Sequence, residues 1–224
     1  MLLAQYPLQQ GEWDLRATID DYLGNLDYQG KRVLDVGTAN GFLCFEMEKR
    51  GADVVGYDLS ELYDWDGVPY DAIMPMEKMK EGRAHFRKMN NAFWLSRQVR
   101  NSNARMIHGT VYDIPQDIEP FDIAMFGSTL LHVRDPFLAL QRAAAITKEA
   151  IVVTDVYSET TQVIPDPDNG TQDTWWYFSP ERIIQFLRVF GFPNVETSFH
   201  QQRFDVTGEM VDMFTVVAHK RKKT

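Results

Sequence analysis

The residues best suited to chemistry lie in Val33-Leu34-Asp35-Val36-Gly37-Thr38-Ala39-Asn40-Gly41. The stretch reads as a short apolar strand, a sharp glycine-bearing turn and the start of a helix at Phe42. Such a turn brings backbone N–H groups and a helix N-terminus up against a ligand. Gly37 and Gly41 suit points where a side chain would block close approach or where φ must be positive. The segment from Ala52 to Ser60 reads as a second strand ending in the acid Asp58. Asp58 lies about twenty residues past the turn, the separation at which such an acid meets ribose hydroxyls.

Further along the chain stand groups that could move a proton or wall a pocket. His132 follows the fourth apolar strand, and an imidazole titrates near neutral pH. The bland reading of His-Val-Arg-Asp-Pro is a structural corner, with His132 satisfied by the backbone. Asp155, at the end of the fifth strand, and His200 are weaker candidates for a base. Trp65, Trp175, Trp176 and Tyr177 would wall an aromatic or cationic acceptor, unless they serve as core. Cys44 is the one cysteine, set among Phe42, Leu43, Phe45 and Met47, where a buried hydrophobe is expected. No metal-ligand spacing is present.

These residues need a scaffold, and the pattern supplies one. Strands are expected over 33–37, 53–58, 105–109, 121–126 and 150–155, with helices over 41–50, 137–146 and from Pro180 to about Phe190. Ser179 and Pro180 suit an N-cap and a first helical position. Asp14 to Leu26 has helical spacing. Asn194–Phe204 and Met210–His219 read as two closing strands with a turn at Gly208. Loops after the carboxyl ends of parallel strands carry the chemistry in open α/β sheets. The stretch 61–104 exceeds one strand–helix connection, and a long connection beside a site is usually functional. Its first part is acidic and turn-rich. Its second part is mostly helical and basic, with Lys78, Lys80, Arg83, Arg87, Lys88, Arg97 and Arg100.

The chain has 224 residues, enough for one α/β domain, and a net charge of −9, which disfavours a dedicated nucleic-acid binder. No signal peptide or membrane-length apolar run appears, so a soluble cytoplasmic protein is expected, monomeric or homodimeric.

A dinucleotide fold wants Gly-x-Gly-x-x-Gly, but those positions hold Gly37, Ala39 and Phe42. Asp35-x-Gly37-x-Ala39-x-Gly41 instead resembles motif I of the class I S-adenosylmethionine-dependent methyltransferases. The resemblance implies a Rossmann-like seven-stranded α/β sheet with helices on both faces and a closing antiparallel hairpin. It covers about residues 30–219. Within that superfamily the chain resembles relatives of the tRNA wobble-uridine carboxymethyltransferases. The carrying runs are VLDVGTANGF at 33–42, FGSTLLHVRDP at 126–136 and WWYFSP before a helix ending in Gly-Phe.

The resemblance implies S-adenosylmethionine as cofactor. Asp35 and Gly37 would meet its methionine end, Gly37, Thr38, Ala39, Asn40 and Gly41 its backbone, and Asp58 with Leu59 the ribose and adenine. Thr110 stands where the family carries an Asp toward the adenine amine, while the N–H of Val111 still serves the ring. Phe126, Gly127 and Ser128 would line the approach to the sulfonium. Tyr6 to Trp13 would form part of a lid within residues 1–30, and residues 61–104 would cover the substrate. The expected acceptor is a small molecule. A tRNA acceptor, resting on the basic segment, and a non-catalytic cofactor-binding module remain the alternatives.

Overall fold

The computed structural model describes residues 12–71, 73–168 and 173–221. In chain order, β1 (Trp13–Asp14) and a 3-10 turn at Arg16–Thr18 lead into α1 (Ile19–Tyr22). There follow β2 (Arg32–Val36), α2 (Phe42–Lys49), β3 (Asp53–Asp58) and the long α3 (Met76–Arg100). Next come β4 (Arg105–His108), β5 (Phe121–Gly127), α4 (Pro136–Ala145) and β6 (Thr147–Val156). The short pair β7 (Gln162–Val163) and β8 (Trp176–Tyr177) precedes α5 (Pro180–Val189). The hairpin β9 (Asn194–Phe204) and β10 (Glu209–His219) closes the sheet.

The large sheet has the order β1-β9-β10-β6-β5-β2-β3-β4. The seven expected strands are all present, and β2, β3, β4, β5 and β6 run parallel. The hairpin lies antiparallel to β6. An eighth strand, β1, is added at the edge by pairing Trp13 with Phe204 and Asp14 with Arg203.

Strand alternation sends the core to both faces. Leu34, Ala124, Val153 and Val216 pack beneath α4 and α5 with Phe178 and Leu187. Val33, Ile123, Val152 and Val217 pack on the opposite face with Tyr22, Cys44 and Phe93. Helix ends follow local chemistry. The Asp135 carboxylate caps α4 by accepting the N–H of Leu138 at 2.9 Å. Ser179 takes the cap position of α5, but its side chain makes no capping bond.

The helix expected over Asp14–Leu26 is shorter. Its first residues are taken by the β1 ladder, and left-handed Gly24 and Asn25 end it. Among the described residues no helix is long and apolar enough to cross a membrane.

Candidate active site

The glycine turn leaves β2 at the centre of the sheet, beside the carboxyl ends of β3 and β5. Gly37 has φ +77°, and a Cβ there would lie 2.3 Å from Thr129 Oγ1, so glycine is required twice over. Ala39, at the place where the family pattern admits glycine, is itself left-handed at φ +49°. Its N–H donates to Asp58 Oδ2 at 2.7 Å. Asp58 Oδ1 accepts the N–H of Leu59, also at 2.7 Å. Burial raises the Asp58 carboxyl above its ordinary range, and these two N–H donors pull it back. Gly turn and acid are thus joined across one crevice edge. Asn40 Oδ1 accepts the N–H of Phe42 at 3.1 Å and helps start α2.

Asp35 differs from expectation. Its carboxyl is 0% exposed and is turned beneath the turn. Oδ2 accepts the Thr38 hydroxyl at 2.6 Å and the Cys44 thiol at 3.2 Å. Oδ1 is buried with no partner among the described residues. Burial pushes the group up to about 6. The Thr38 side chain is likewise buried, so Thr38 offers the crevice backbone only. The Cys44 thiol is raised well above its usual value by burial and stays protonated.

The loop after β4 is a tight turn. Thr110 Oγ1 donates to Asp113 Oδ2 at 3.0 Å, and the Asp113 N–H returns to the Thr110 carbonyl at 3.0 Å. Asp113 therefore sits against the very residue that departs from the family pattern. Val111 is half-buried beside it.

The loop after β5 holds Gly127 and Ser128. Ser128 is left-handed at φ +49°, a strained position of the kind that gathers at functional sites. Its Oγ meets the Tyr22 hydroxyl at 3.0 Å. Tyr22 falls in the stretch of helical spacing from Asp14 to Leu26; a buried phenol seeking a partner is the signal that it does more than pack. Phe126, expected to line the crevice, is 0% exposed in the core beneath α4 and α5. The sheet pleat points it down while Gly127 and Ser128 stay at the edge.

His132 ends a 3-10 turn at Leu130–His132. Its Nδ1 meets the Asp173 carbonyl at 2.5 Å. A carbonyl there fixes the proton on Nδ1 and leaves Nε2 as the basic nitrogen. Asp155, the other expected base, is only 2% exposed. Its Oδ1 accepts the backbone N–H of Val156 at 2.8 Å, and its buried Oδ2 has no partner among the described residues. Burial pushes it up to about 7. Its carboxyl is thus buried at the end of β6. His200 lies in the hairpin, with Nε2 on Thr215 Oγ1 at 2.9 Å, and burial lowers its pKa.

The aromatic residues divide. Trp13 is committed to the far sheet edge, its ring 4.9 Å from Phe204. Four strand spacings separate β1 from β5, about 19 Å at the usual spacing, so Trp13 does not line the crevice. Tyr6 lies outside the described residues. Trp176 stacks on Phe178 at 6.0 Å and packs into the core. Tyr177 is exposed in β8, opposite Gln162. Trp65 packs on Gly82 of α3, and Trp175 donates its indole N–H to the Asp66 carbonyl at 2.5 Å. Trp65 and Trp175 are thus linked through the Asp66 backbone, and Trp13, Trp176 and Tyr177 lie elsewhere.

A central strand ending in a glycine turn, an acid after its neighbour, and helices on both faces define a class I methyltransferase architecture. Residues 10–197 match the family model for a methyltransferase domain, and the chain belongs to that family. The tRNA U34 carboxymethyltransferase of Dichelobacter nodosus is 28% identical over 187 residues, 78% of this chain and 51% of that protein. The chain thus spans about half the length of the curated relatives it matches. A ubiquinone biosynthesis O-methyltransferase of Acinetobacter baylyi is 51% identical over 43 residues, 19% of this chain and 17% of that protein. Among solved structures, the Burkholderia thailandensis 1,6-didemethyltoxoflavin-N1-methyltransferase, with S-adenosylhomocysteine bound, superposes with a TM-score of 0.59 at 16% identity. The match covers 92% of this chain and 76% of that one, and at such identity it speaks for the fold.

Proposed function

We propose that this chain transfers a methyl group from S-adenosylmethionine to an oxygen, nitrogen or sulfur atom of a small molecule. The observation that carries the reading is the pairing of the glycine turn with Asp58 across one crevice, on a sheet of methyltransferase order. The residues fit the cofactor. A side chain at Gly37 would fill the cradle, Asp58 presents a carboxylate beside the turn, and Leu59 and Val111 follow the neighbouring parallel strands β3 and β4. The cofactor supplies a methyl on a sulfonium; the chain must orient the acceptor and exclude water. Gly127 and Ser128, with Tyr22 behind them, would form the wall nearest that methyl.

In this reading His132 is the base for an acceptor that must lose a proton. His132→Ala is expected to lower transfer by about 10²–10⁴-fold while S-adenosylhomocysteine binding stays intact. Parallel titration calorimetry and transfer assays check this split.

Two features support a small acceptor. Arg83 and Arg87 of α3 spend their charge on Asp64 and Glu61 of the same insert, at 2.6 and 3.6 Å. The acidic part of the insert is tied down over the loops that hold ligands in such sheets. The similarity to tRNA-modifying enzymes favours the second reading, a tRNA acceptor. Incubation with methyl-labelled S-adenosylmethionine and cell extract, followed by separation of RNA, protein and small molecules, decides. Label in the small-molecule fraction supports the proposal. Label in RNA establishes the second reading, and cofactor binding without any transfer leaves a regulatory module.

A further inference from the structure

The stretch between β3 and α3 is fastened at one residue, Asp66. Its carboxylate accepts the Tyr112 hydroxyl and, at 2.7 Å, the main-chain N–H of Arg134. The Arg134 guanidinium stands 3.3 Å from its other oxygen. The Asp66 carbonyl accepts the Trp175 indole N–H, and the same guanidinium lies over the Trp175 ring, 5.0 Å from its centroid. Tyr112 completes the knot by accepting the Asp135 N–H at 3.1 Å.

The partners come from three different places. Tyr112 belongs to the loop after β4, Arg134 to the loop after β5, and Trp175 to the segment that follows β6 and precedes β8. Those loops leave the carboxyl ends of parallel strands, the edge at which open α/β sheets hold their ligands. The strap carrying Asp66 starts beyond Asp58 and returns along α3, where Trp65 seats on Gly82 and Asp64 pairs with Arg83. It therefore runs from the end of β3 to contacts with the loops after β4, β5 and β6, along the carboxyl edge of the sheet. An isolated surface ion pair contributes little. Here the pair is one bond among several, and the Asp66 side chain is 21% exposed. None of its bonds given above goes to the glycine turn, Asp58 or Leu59.

We propose that Asp66 is the clasp of this site, a positioning residue that fastens the insert across the mouth, so that exchange of ligands waits on its release. The proposal rests on the cofactor reading above. A residue that bars the mouth without touching the ligand alters both rates of exchange and not their ratio.

The test uses the full chain and labelled S-adenosylhomocysteine, with association and displacement followed by rapid mixing. Asp66→Asn removes the charge that Arg134 and Tyr112 meet but keeps the shape. Asp66→Ala removes every side-chain bond. Each is expected to raise the association and dissociation rates together, by about tenfold or more, as loss of a charged hydrogen bond implies. The dissociation constant should move less than about threefold, since the ligand keeps its own contacts. Trp175→Phe deletes the indole donor and part of the ring face under Arg134 but leaves the Asp66 carboxylate, and should shift both rates the same way by less. It also serves if the alanine variant does not fold. Unchanged rates in both Asp66 variants overturn the clasp. So does a faster dissociation with an unaltered association rate, which would make Asp66 a ligand contact. Wild-type protein that binds no S-adenosylhomocysteine overturns the cofactor reading and the clasp with it. That failure is distinguished by the absence of signal before any substitution.

Discussion

Asp155 shows at the scale of one residue how burial writes itself into stability. Its carboxyl is pushed up to about 7 by desolvation, against an ordinary value of 3.8. A carboxyl whose folded pKa is raised holds its proton more tightly in the native state than in the unfolded chain. Below pH 4 both states are protonated and the group is neutral in the balance. As pH rises from 4 to 7 the unfolded chain ionises first, so stability falls across that window and is level above it. Asp35, pushed up to about 6, acts in the same direction over a narrower window. Asp155→Asn removes the titration while keeping an oxygen for the N–H of Val156. Its stability relative to the parent should improve steadily from pH 4 to 7, by about 4 kcal/mol at most. Urea unfolding at several pH values measures this, and a difference that does not change with pH would refute it. The positions of Asp35, Asp58 and the glycines were legible in the sequence because turn chemistry is local. Asp35's direction was legible in principle, since a period of two places it on the Val33 face, above Cys44 of α2. What the sequence could not show is which buried groups meet across the fold. Tyr22 and Ser128 are 106 positions apart.

At the scale of elements, the strands were readable to within one residue, β6 apart, which starts three residues early at Thr147, because runs such as Ile123–Phe126 and Ile151–Val153 are apolar on both faces. The two parts that were not legible share one cause. β1 and the strap around Asp66 owe their conformations to distant partners, Phe204 in one case and three separate loops in the other, and neither carries a periodic signal. The α3 helix is intermediate. Its helicity was evident, but its length of 25 residues was not, nor that 14 of them precede Asn90. Asn90 donates to the Leu59 carbonyl at 3.0 Å and so marks where α3 meets the end of β3. The residues before it rise beyond the sheet edge as a wall about 20 Å long. Phe93 is the anchor of this helix, 0% exposed and stacked on Phe45 at 5.5 Å, while the next residue, Trp94, is 45% exposed. Phe93→Ala is expected to cost about 3–5 kcal/mol, whereas Trp94→Ala, the larger truncation, should cost under about 1 kcal/mol. Equal losses in denaturant unfolding would show that the insert helix is seated on the other face.

The whole molecule carries a net charge of −9, yet α3 holds seven Lys and Arg against two Glu. Taken alone, that contrast resembles a basic face on an acidic body, the footprint of a protein that grips a polyanion. The contacts argue otherwise. Lys78 pairs with Glu81, Arg83 with Asp64 and Arg87 with Glu61, and Arg97 donates to the Ala104 carbonyl. Arg100 lies over the Phe45 ring at 5.4 Å. A phosphate backbone would have to compete with carboxylates already in place, and the surrounding negative charge would oppose its approach. Binding of bulk tRNA should therefore be weak and shallow in its salt dependence. A slope of log affinity against log salt of less than about 2 in magnitude is expected, where six or more phosphate contacts would give about 5 or more. Anisotropy of labelled tRNA between 50 and 200 mM salt, the usual range for such a slope, supplies the number. A steep slope that flattens when Arg83 and Arg87 are replaced by Gln would show that the ion pairs yield to RNA. The insert would then be a tRNA-docking element, and the small-acceptor reading would fall.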